Sequence, residues 1–327
     1  MKEAMYYGRL NGKIMCKLCP NNCIINKTGI CGVRKVINNK LYSLVYGKAC
    51  SAAVDPIEKK PLFHYLPSHN TFSISTVGCN FSCLHCQNFE ISQEKSVYGK
   101  ELMPEKIIEL AKQNGCKSIS YTYTEPTVFY EYVLETARQA RKAGIKNVIV
   151  SNGYINPKPL DKWCNYIDAA NIDLKAFDDD FYKKICSGRL EPVLNTLKTL
   201  SKKKVWFEIT NLIIPTLNDN TVEEMCTWIV DNLGKNVPVH FSRFHPMYKL
   251  NYLPLTPTAT LEKSRETALK TGIKHVYIGN IRAGKAENTY CPECGKQLIK
   301  RSGFNILECN LSSGRCSCNE QISGIWS

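Results

Sequence analysis

Short apolar runs rich in β-branched residues alternate with longer amphipathic stretches through the middle of the chain. The apolar runs predict seven strands, near residues 71–77, 118–123, 147–151, 167–174, 205–214, 237–241 and 275–278. Helices are predicted between them, near residues 104–114, 127–143, 222–233 and 261–271. This alternation is typical of a parallel sheet with crossover helices. Because seven strands are too few for a closed eight-stranded barrel, we expect an α/β fold built on a partial barrel.

The same pattern divides the chain into four segments. Residues 1–39 and 285–327 are cysteine-rich, and we expect them to be small metal-binding appendages. Residues 40–70 contain several prolines but keep apolar side chains such as Leu62, so we expect a connector that packs on the barrel. Residues 71–284 then form the partial barrel.

Composition and charge narrow the class of protein. The 327 residues are 43% hydrophobic and 22% charged, which excludes wholesale disorder. Lysine and arginine outnumber aspartate and glutamate by 43 to 29, and the net charge of +14 favours anionic partners without choosing among them. There is no run of 18 apolar residues and no signal-peptide pattern, so we expect a cytoplasmic protein with no membrane segment.

Seventeen cysteines are the other unusual feature. Thiols stay reduced in the cytoplasm, so cysteines clustered at short spacings are expected to be metal or cluster ligands. Three groups occur: Cys16, Cys19, Cys23 and Cys31; Cys79, Cys83 and Cys86; and Cys291, Cys294, Cys309, Cys316 and Cys318. We expect the isolated cysteines to be small buried apolar side chains, and these are Cys50, Cys116, Cys164, Cys186 and Cys226.

The sharpest motif is the loop Gly78 to Asn88, which follows the first predicted strand. Its Cys-x3-Cys-x2-Cys spacing places three thiolates where they can wrap one iron–sulfur cubane and leave one iron open. An open metal position is a feature of catalytic sites. The alternative is a zinc site completed by His85 or by a distant cysteine. The position of the loop at the carboxyl end of a barrel strand favours catalysis.

This loop, in this position, resembles the hallmark of the radical S-adenosylmethionine (SAM) superfamily. The resemblance implies a (β/α)6-type partial barrel, a 4Fe–4S cluster on the three cysteines and SAM bound to the open iron. In that family an electron from the reduced cluster cleaves SAM to methionine and a 5′-deoxyadenosyl radical, which abstracts hydrogen from the substrate.

Later strand ends carry residues to which the resemblance assigns SAM binding. The sequence Tyr123-Thr124-Glu125-Pro126 is similar to the family's Gly-Gly-Glu-Pro turn, which implies that Glu125 accepts hydrogen bonds from the SAM ammonium group. The alternative role for Glu125 is that of an acid in the first turn of a helix. Other turns resemble those that face SAM in pyruvate formate-lyase activating enzymes, and they contain Asn152, Asp173 and Lys175. His245 and Asn280 are weaker candidates, for which a structural role is equally open.

Almost the whole chain resembles a closer family, the AmmeMemoRadiSam system radical SAM enzymes. The matching stretches include CKLCPNNCIINKTGICGVR, STVGCNFSCLHCQNFEISQ, SYTYTEPTVFYEY and HFSRFHPMYKL. This resemblance implies association with AMMECR-type and Memo-like proteins, and an electron donor such as ferredoxin or flavodoxin.

The outer cysteine groups predict further metal sites. Cys16, Cys19, Cys23 and Cys31 can provide four thiolates, and either zinc or an additional iron–sulfur cluster fits their spacing. Near the carboxyl terminus, Cys291-x2-Cys294 is a typical zinc knuckle. The second knuckle, Cys316-x-Cys318, is one residue short, so Cys309 is an alternative ligand in the expected zinc ribbon.

Three functions remain open at this stage. The first is a radical SAM enzyme that acts on a protein or another macromolecule, by analogy with glycyl-radical activases. The second is a radical SAM enzyme that modifies RNA, which the charge permits although no RNA-binding module is evident. The third is a non-catalytic, metal-stabilised adaptor.

Overall fold

The centre of the molecule is an eight-stranded sheet, and the computed structural model describes residues 1–327. Seven of its strands are parallel, and an antiparallel strand covers one edge. The strands of the protein are β1 (Lys2–Glu3), β2 (Tyr7–Leu10), β3 (Lys13–Cys16), β4 (Ile24–Ile25), β5 (Arg34–Ile37), β6 (Lys40–Ser43), β7 (Lys48–Ala49), β8 (Ser51–Pro56), β9 (Asn70–Ser75), β10 (Lys100–Glu101), β11 (Ser118–Tyr121), β12 (Lys146–Ser151), β13 (Ala169–Asp173), β14 (Trp206–Ile213), β15 (Val239–Arg243), β16 (Val276–Gly279), β17 (Thr289–Tyr290), β18 (Gln297–Ser302) and β19 (Asn305–Cys309).

Helices connect the parallel strands, as a βα-repeat requires. They are α1 (Phe89–Ser92), α2 (Pro104–Gln113), α3 (Tyr130–Lys142), α4 (Pro157–Trp163), α5 (Asp179–Phe181), α6 (Leu190–Lys202), α7 (Val222–Leu233) and α8 (Thr258–Thr271). A π-helical turn, Tyr182–Cys186, continues α5. None of the helices combines the length and the hydrophobicity needed to cross a bilayer.

The sheet confirms the α/β partial barrel predicted from the sequence. Its order is β16-β15-β14-β13-β12-β11-β9-β8, so each parallel strand lies beside its predecessor in the chain. The predicted helix at 222–233 has the bounds of α7. The predicted helix at 127–143 instead begins as a 3₁₀ turn, Pro126–Phe129, because the Glu125 side chain caps the backbone N–H of Thr127 before the α-helix starts.

The segment predicted as a connector is part of the barrel architecture. Its strand β8 pairs with β9 in an antiparallel register, and residues 57–69, which we name the plug, follow it. Apolar side chains of the plug, such as Leu62 and Tyr65, pack on Val148 and Ala169, where β12 and β13 begin. The plug therefore closes the amino ends of the strands. The predicted boundaries at residues 39, 70 and 284 stay predictions.

A buried carboxylate holds the plug in place. Glu208 on β14 accepts hydrogen bonds from the backbone N–H groups of Phe63 (3.0 Å) and His64 (2.7 Å). Its carboxylate also contacts His240 Nε2 at 2.6 Å and accepts from the indole N–H of Trp206 at 3.3 Å. A buried carboxylate is stable only when such donors replace its lost hydration.

The two ends of the chain form small β modules. Strands β1, β5 and β6 form one sheet and β2, β3 and β4 another, on the amino-terminal side. Strands β17, β18 and β19 form an antiparallel sheet near the carboxyl terminus, where Leu298 and Ile299 pack with two buried cysteines, Cys291 and Cys316. The amino-terminal strands share the main core of the protein, to which they contribute Ile14 and Leu41.

Candidate active site

A cavity of about 290 Å³ lies where the parallel strands end. Residues at the ends of successive strands line it, among them Thr122, Ser151, Asp173, Leu212 and Ser242. The carboxyl ends of parallel strands are where barrels of this class place their chemistry. The plug contributes the opposite wall through residues 59–61.

Cys79, Cys83 and Cys86, which we name the cysteine triad, all line this cavity. They lie on the loop after β9, which contacts the π-helical turn through backbone hydrogen bonds from Ser82 N–H to the carbonyl of Cys186 (3.0 Å) and from Leu84 N–H to that of Ile185 (2.9 Å). The loop is therefore fixed by a segment that follows β13, far away in the sequence.

Close packing around Phe81 also fixes the loop. Its ring lies against Gly188, where any side-chain carbon would overlap it. The ring also packs on Tyr154, with 4.7 Å between the ring centroids. The side chain of Asn80 donates to the carbonyl of Tyr154 at 2.7 Å. The triad thus lies on a packed loop whose conformation is set by several neighbouring elements.

The triad sulfurs have polar neighbours that can stabilise thiolates. The backbone N–H of Phe81 donates to Cys79 Sγ at 3.4 Å, and the Ser92 hydroxyl lies 3.1 Å from Cys86 Sγ. Cys83 lies within 4.8 Å of His85 and Cys186. A hydrogen bond from the Cys186 thiol lowers the pKa of Cys83, although burial opposes this shift. Hydrogen bonds to ligand sulfurs help to set the potential of an iron–sulfur cluster.

The expectation that Cys186 is buried is confirmed, but the expectation that it has no partners is wrong. It is fully buried, but it has thiol and imidazole partners. Sequence reasoning missed this neighbour because 103 residues separate it from Cys83 and only the packing of the π-helical turn brings the two together.

Glu125 is buried at the end of β11 and joins two strand ends. One of its oxygens accepts from Thr127 N–H at 2.9 Å and from the Ser151 hydroxyl at 2.8 Å, and the other accepts from Asn152 N–H at 2.8 Å. Burial raises the pKa of Glu125, and these hydrogen bonds partly offset the rise. The carboxylate lines the cavity and also caps a 3₁₀ turn.

Four of the other predicted cofactor-binding residues also line the cavity, namely Asn152, Asp173, Lys175 and Asn280. Lys175 pairs with Asp173 at 2.9 Å. Burial opposes the charge of Lys175, but attraction from Asp173 and from the nearby sulfur of Cys83 outweighs burial and raises the pKa of Lys175 well above its usual value. His245 differs from the rest, since its exposed ring lies outside the lining and contacts the backbone carbonyl of Asn280 at 3.3 Å.

A second polar cluster on the cavity wall was not predicted from the sequence. Lys60 of the plug pairs with Asp55 of β8 at 2.8 Å, and the Tyr123 hydroxyl also donates to Asp55. The Lys60 ammonium lies 4.4 Å from the centroid of the Tyr123 ring. Burial lowers the pKa of Lys60 to about 8, although Asp55 opposes the shift. No local motif signals this cluster, because the plug reaches the cavity only in the folded barrel.

The carboxyl-terminal cysteines form a compact group. The sulfurs of Cys291, Cys294, Cys316 and Cys318 all lie within 4.8 Å of one another, with 3.6 Å between Cys291 and Cys318. This spacing suits a single tetrahedral ion. Cys309, the alternative ligand, is exposed at the end of β19 and does not belong to the group. The shortened Cys316-x-Cys318 knuckle therefore still brings both of its thiols to the centre.

Residues 73–229, which include the cysteine triad and Glu125, match the family described as the radical SAM superfamily. The chain belongs to the radical SAM superfamily. The predicted cofactors, a 4Fe–4S cluster and SAM, are those of this superfamily and are thereby confirmed. The closer AmmeMemoRadiSam relationship stays a prediction.

Similar proteins match either almost the whole chain or about three fifths of it. "Uncharacterized protein MJ0808" of Methanocaldococcus jannaschii is 48% identical over 98% of this chain and 99% of its own length. The "(2S)-3-sulfopropanediol dehydratase activating enzyme" of Klebsiella oxytoca is 24% identical, over 58% of this chain and 62% of its own. The pyruvate formate-lyase-activating enzyme of Clostridium pasteurianum is 23% identical, over 61% of this chain and 88% of its own.

A solved structure supports the fold. Streptococcus suis SuiB bound to S-adenosylmethionine superposes with a TM-score of 0.52 and 13% sequence identity. The superposition covers 68% of this chain and 53% of SuiB. At this level of identity the similarity concerns the barrel fold alone.

Proposed function

We propose that this radical SAM protein generates a substrate radical by abstracting hydrogen from another protein. The observation that carries the proposal is the convergence of the cysteine triad, Glu125 and the Asp173–Lys175 pair on one cavity at the strand ends. When bound, the reduced cluster supplies one electron to SAM, whose cleavage gives methionine and a 5′-deoxyadenosyl radical that removes a hydrogen atom from the substrate.

The residues of the protein bind and orient the cofactors and shield the radical from water. Three thiolates from the triad fit a cubane and leave one iron for SAM. Glu125 is held by Thr127, Ser151 and Asn152, so its carboxylate is preorganised before a cationic ammonium group arrives. Lys175, paired with Asp173, is placed to interact with an anionic group such as the SAM carboxylate. The plug closes the cavity below and excludes water from a reactive radical.

One observation supports a protein as the substrate class. The relatives named above as activating enzymes are named for acting on other enzymes. The net charge of +14 favours an anionic partner of either macromolecular class, protein or RNA. AMMECR-type and Memo-like proteins are the partners that we propose from the sequence resemblance, and ferredoxin or flavodoxin is the proposed electron donor.

The test is SAM cleavage by anaerobically purified protein. With a strong reductant we expect 5′-deoxyadenosine from the wild type and none from Cys83→Ala. Cys164→Ala is the matched control, because Cys164 lies at the end of α4 outside the cavity. If the wild type holds an iron–sulfur cluster and yet never forms 5′-deoxyadenosine, the catalytic proposal is wrong and the adaptor function gains support.

The substrate class needs a separate experiment. In D₂O, the active enzyme is incubated with candidate protein partners, total RNA and SAM, and both peptides and nucleosides are examined by mass spectrometry for a SAM-dependent change. We expect the change in a protein partner. A SAM-dependent change found only in RNA would contradict the proposed substrate class.

For the carboxyl-terminal group we propose a structural zinc ion. The four sulfurs are spaced for one tetrahedral ion, and the antiparallel sheet around them has a small apolar core.

A further inference from the structure

Cys16, Cys19, Cys23 and Cys31, which we name the amino-terminal set, line one small cavity. The walls between the thiols are apolar and include Leu18 and Ile25, both of which are buried. Four thiols that share one pocket are suited to a soft metal centre. The set is thus arranged as a buried site for a thiophilic metal centre.

The spacing of the sulfurs distinguishes a single ion from a cluster. In a tetrahedral zinc site with Zn–S distances of about 2.3 Å, the sulfurs lie about 3.8 Å apart. The carboxyl-terminal group has such a spacing, with 3.6 and 3.7 Å between paired sulfurs. No three thiols of the amino-terminal set lie within 4.8 Å of one another, and the same is true of the cysteine triad. A cubane holds its thiolates further apart than zinc does, because each thiolate binds a different iron.

An unpartnered donor also points to a bound group. Arg34 lines the same cavity and is 2% exposed. Two of its guanidinium nitrogens bind the Glu131 carboxylate, at 2.7 and 3.2 Å, but its buried Nε–H has no acceptor in the protein. A buried N–H without an acceptor is costly, and a thiolate or a bridging sulfide would supply one.

The amino-terminal set lies directly behind the cysteine triad. The Asn21 side chain donates to the backbone carbonyl of Asn80 at 2.8 Å, one residue after Cys79. On the other side of Cys79, a carbon added to Gly78 would lie only 2.6 Å from the carbonyl oxygen of Cys31. Asn80 itself lines the cavity of the amino-terminal set. The residues before and after Cys79 therefore both contact the amino-terminal set, and these contacts connect it to the cysteine triad.

We propose that the amino-terminal set holds a second iron–sulfur cluster, which passes electrons to the cluster on the cysteine triad. The transfer moves one electron from the reduced second cluster to the oxidised triad cluster, and it makes or breaks no bond. An external one-electron donor of ferredoxin or flavodoxin type then reduces the second cluster again. The relay role rests on the proposed function, whereas the identity of the metal centre does not.

The first experiment removes the triad and leaves the amino-terminal set intact. Full-length protein with Cys79→Ser, Cys83→Ser and Cys86→Ser is purified without oxygen, and its iron, acid-labile sulfide and zinc are measured. We expect about four iron atoms with matching sulfide per chain, and an EPR signal of the reduced protein that SAM does not alter. A variant that holds zinc without sulfide, or no metal at this set, overturns the proposal.

The second experiment uses the converse variant, Cys16→Ser, Cys19→Ser, Cys23→Ser and Cys31→Ser. We expect it to keep about four iron atoms and a signal that SAM perturbs. The single variant Cys19→Ser serves if the fourfold change prevents folding, and we expect it to lose about half of the wild-type iron. The doubly reduced wild type should show spin–spin broadening that neither variant shows. A wild-type spectrum equal to the sum of the two variant spectra contradicts the relay.

Electron delivery gives a third readout. We expect the ratio of the rates of 5′-deoxyadenosine formation with reduced flavodoxin and with dithionite to fall at least tenfold in the fourfold serine variant. An unchanged ratio overturns the relay and leaves the second cluster in place. If 5′-deoxyadenosine never forms in any variant or in the wild type, the proposed function fails independently of the second cluster.

Discussion

Cys186 lies beside Cys83 without belonging to the triad. Its thiol and the His85 ring are both within 4.8 Å of Cys83, in a region closed to solvent. A neutral S–H donor beside a ligand sulfur stabilises the more negative, reduced form of a cluster more than the oxidised form. The residue is therefore placed to raise the reduction potential of the triad cluster.

We expect Cys186→Ala to make that reduction potential more negative. A difference of about 1 kcal/mol in hydrogen-bond strength between the two oxidation states corresponds to roughly 40 mV for one electron. Potentiometric titration followed by EPR measures the shift. Cys186→Ser is the matched control, because a hydroxyl keeps a donor at this position. Equal potentials in the wild type and the alanine variant would contradict this role.

Gly78 illustrates how one backbone position connects two cysteine groups. Its φ is +95°, which disfavours a side chain, and an added carbon would also meet Cys31 and Val33 at 2.6 Å.

We expect Gly78→Ala to destabilise the protein by several kcal/mol, since conformational strain and overlap with backbone atoms add together. Gly303→Ala is the control: its φ is +60° and nothing lies near an added carbon, so strain alone costs about 1 kcal/mol. Denaturant midpoints under anaerobic conditions compare the two variants. Similar losses in both would show that Cys31 and Val33 move aside without cost.

The strands, helices and motifs that depend on neighbouring residues in the sequence can be predicted from the sequence. The seven parallel strands and helix α7 follow from periodicity, and the triad follows from spacing within one loop. The position of the plug does not follow from local pattern. It depends on hydrogen bonds from two backbone N–H groups of the plug to Glu208, which lies 144 to 145 residues away in the sequence. The Lys60–Asp55 pair cannot be predicted for the same reason, since only the folded partial barrel brings the plug to the cavity wall.

The carboxyl-terminal sheet offers a test of ligand identity within one element. We expect Cys318→Ser to lower zinc content and to increase hydrogen exchange in β17, β18 and β19, because a small sheet depends on its metal. Cys309→Ser should leave both unchanged, because this thiol is exposed and lies outside the group. Zinc loss in Cys309→Ser would reinstate it as the fourth ligand.

Across the whole molecule, the last residues of the chain return to the barrel. The backbone of Ile325 donates to the carbonyl of His64 at 2.8 Å and accepts from the N–H of Leu66 at 2.6 Å. The Trp326 ring packs beside His64, with 5.1 Å between the centroids. The carboxyl-terminal tail thus supports the plug from below.

We expect deletion of residues 323–327 to lower the thermal unfolding midpoint of the protein, because two plug backbone groups lose their partners. Zinc content should not change, since all four ligands precede the deletion. Scanning calorimetry and metal analysis check both outcomes, and deletion of Ser327 alone is the control. An unaltered midpoint in the longer deletion would show that the tail merely rests on the barrel.

The plug restricts the route by which ligands enter the cavity. Because the plug seals the amino ends of the strands, SAM and the protein partner proposed above would both approach from the side where the strands end. A protein seated over that side would bar the nucleoside from entering behind it. We therefore expect SAM to bind first, and we expect a large excess of the partner to slow turnover instead of saturating it.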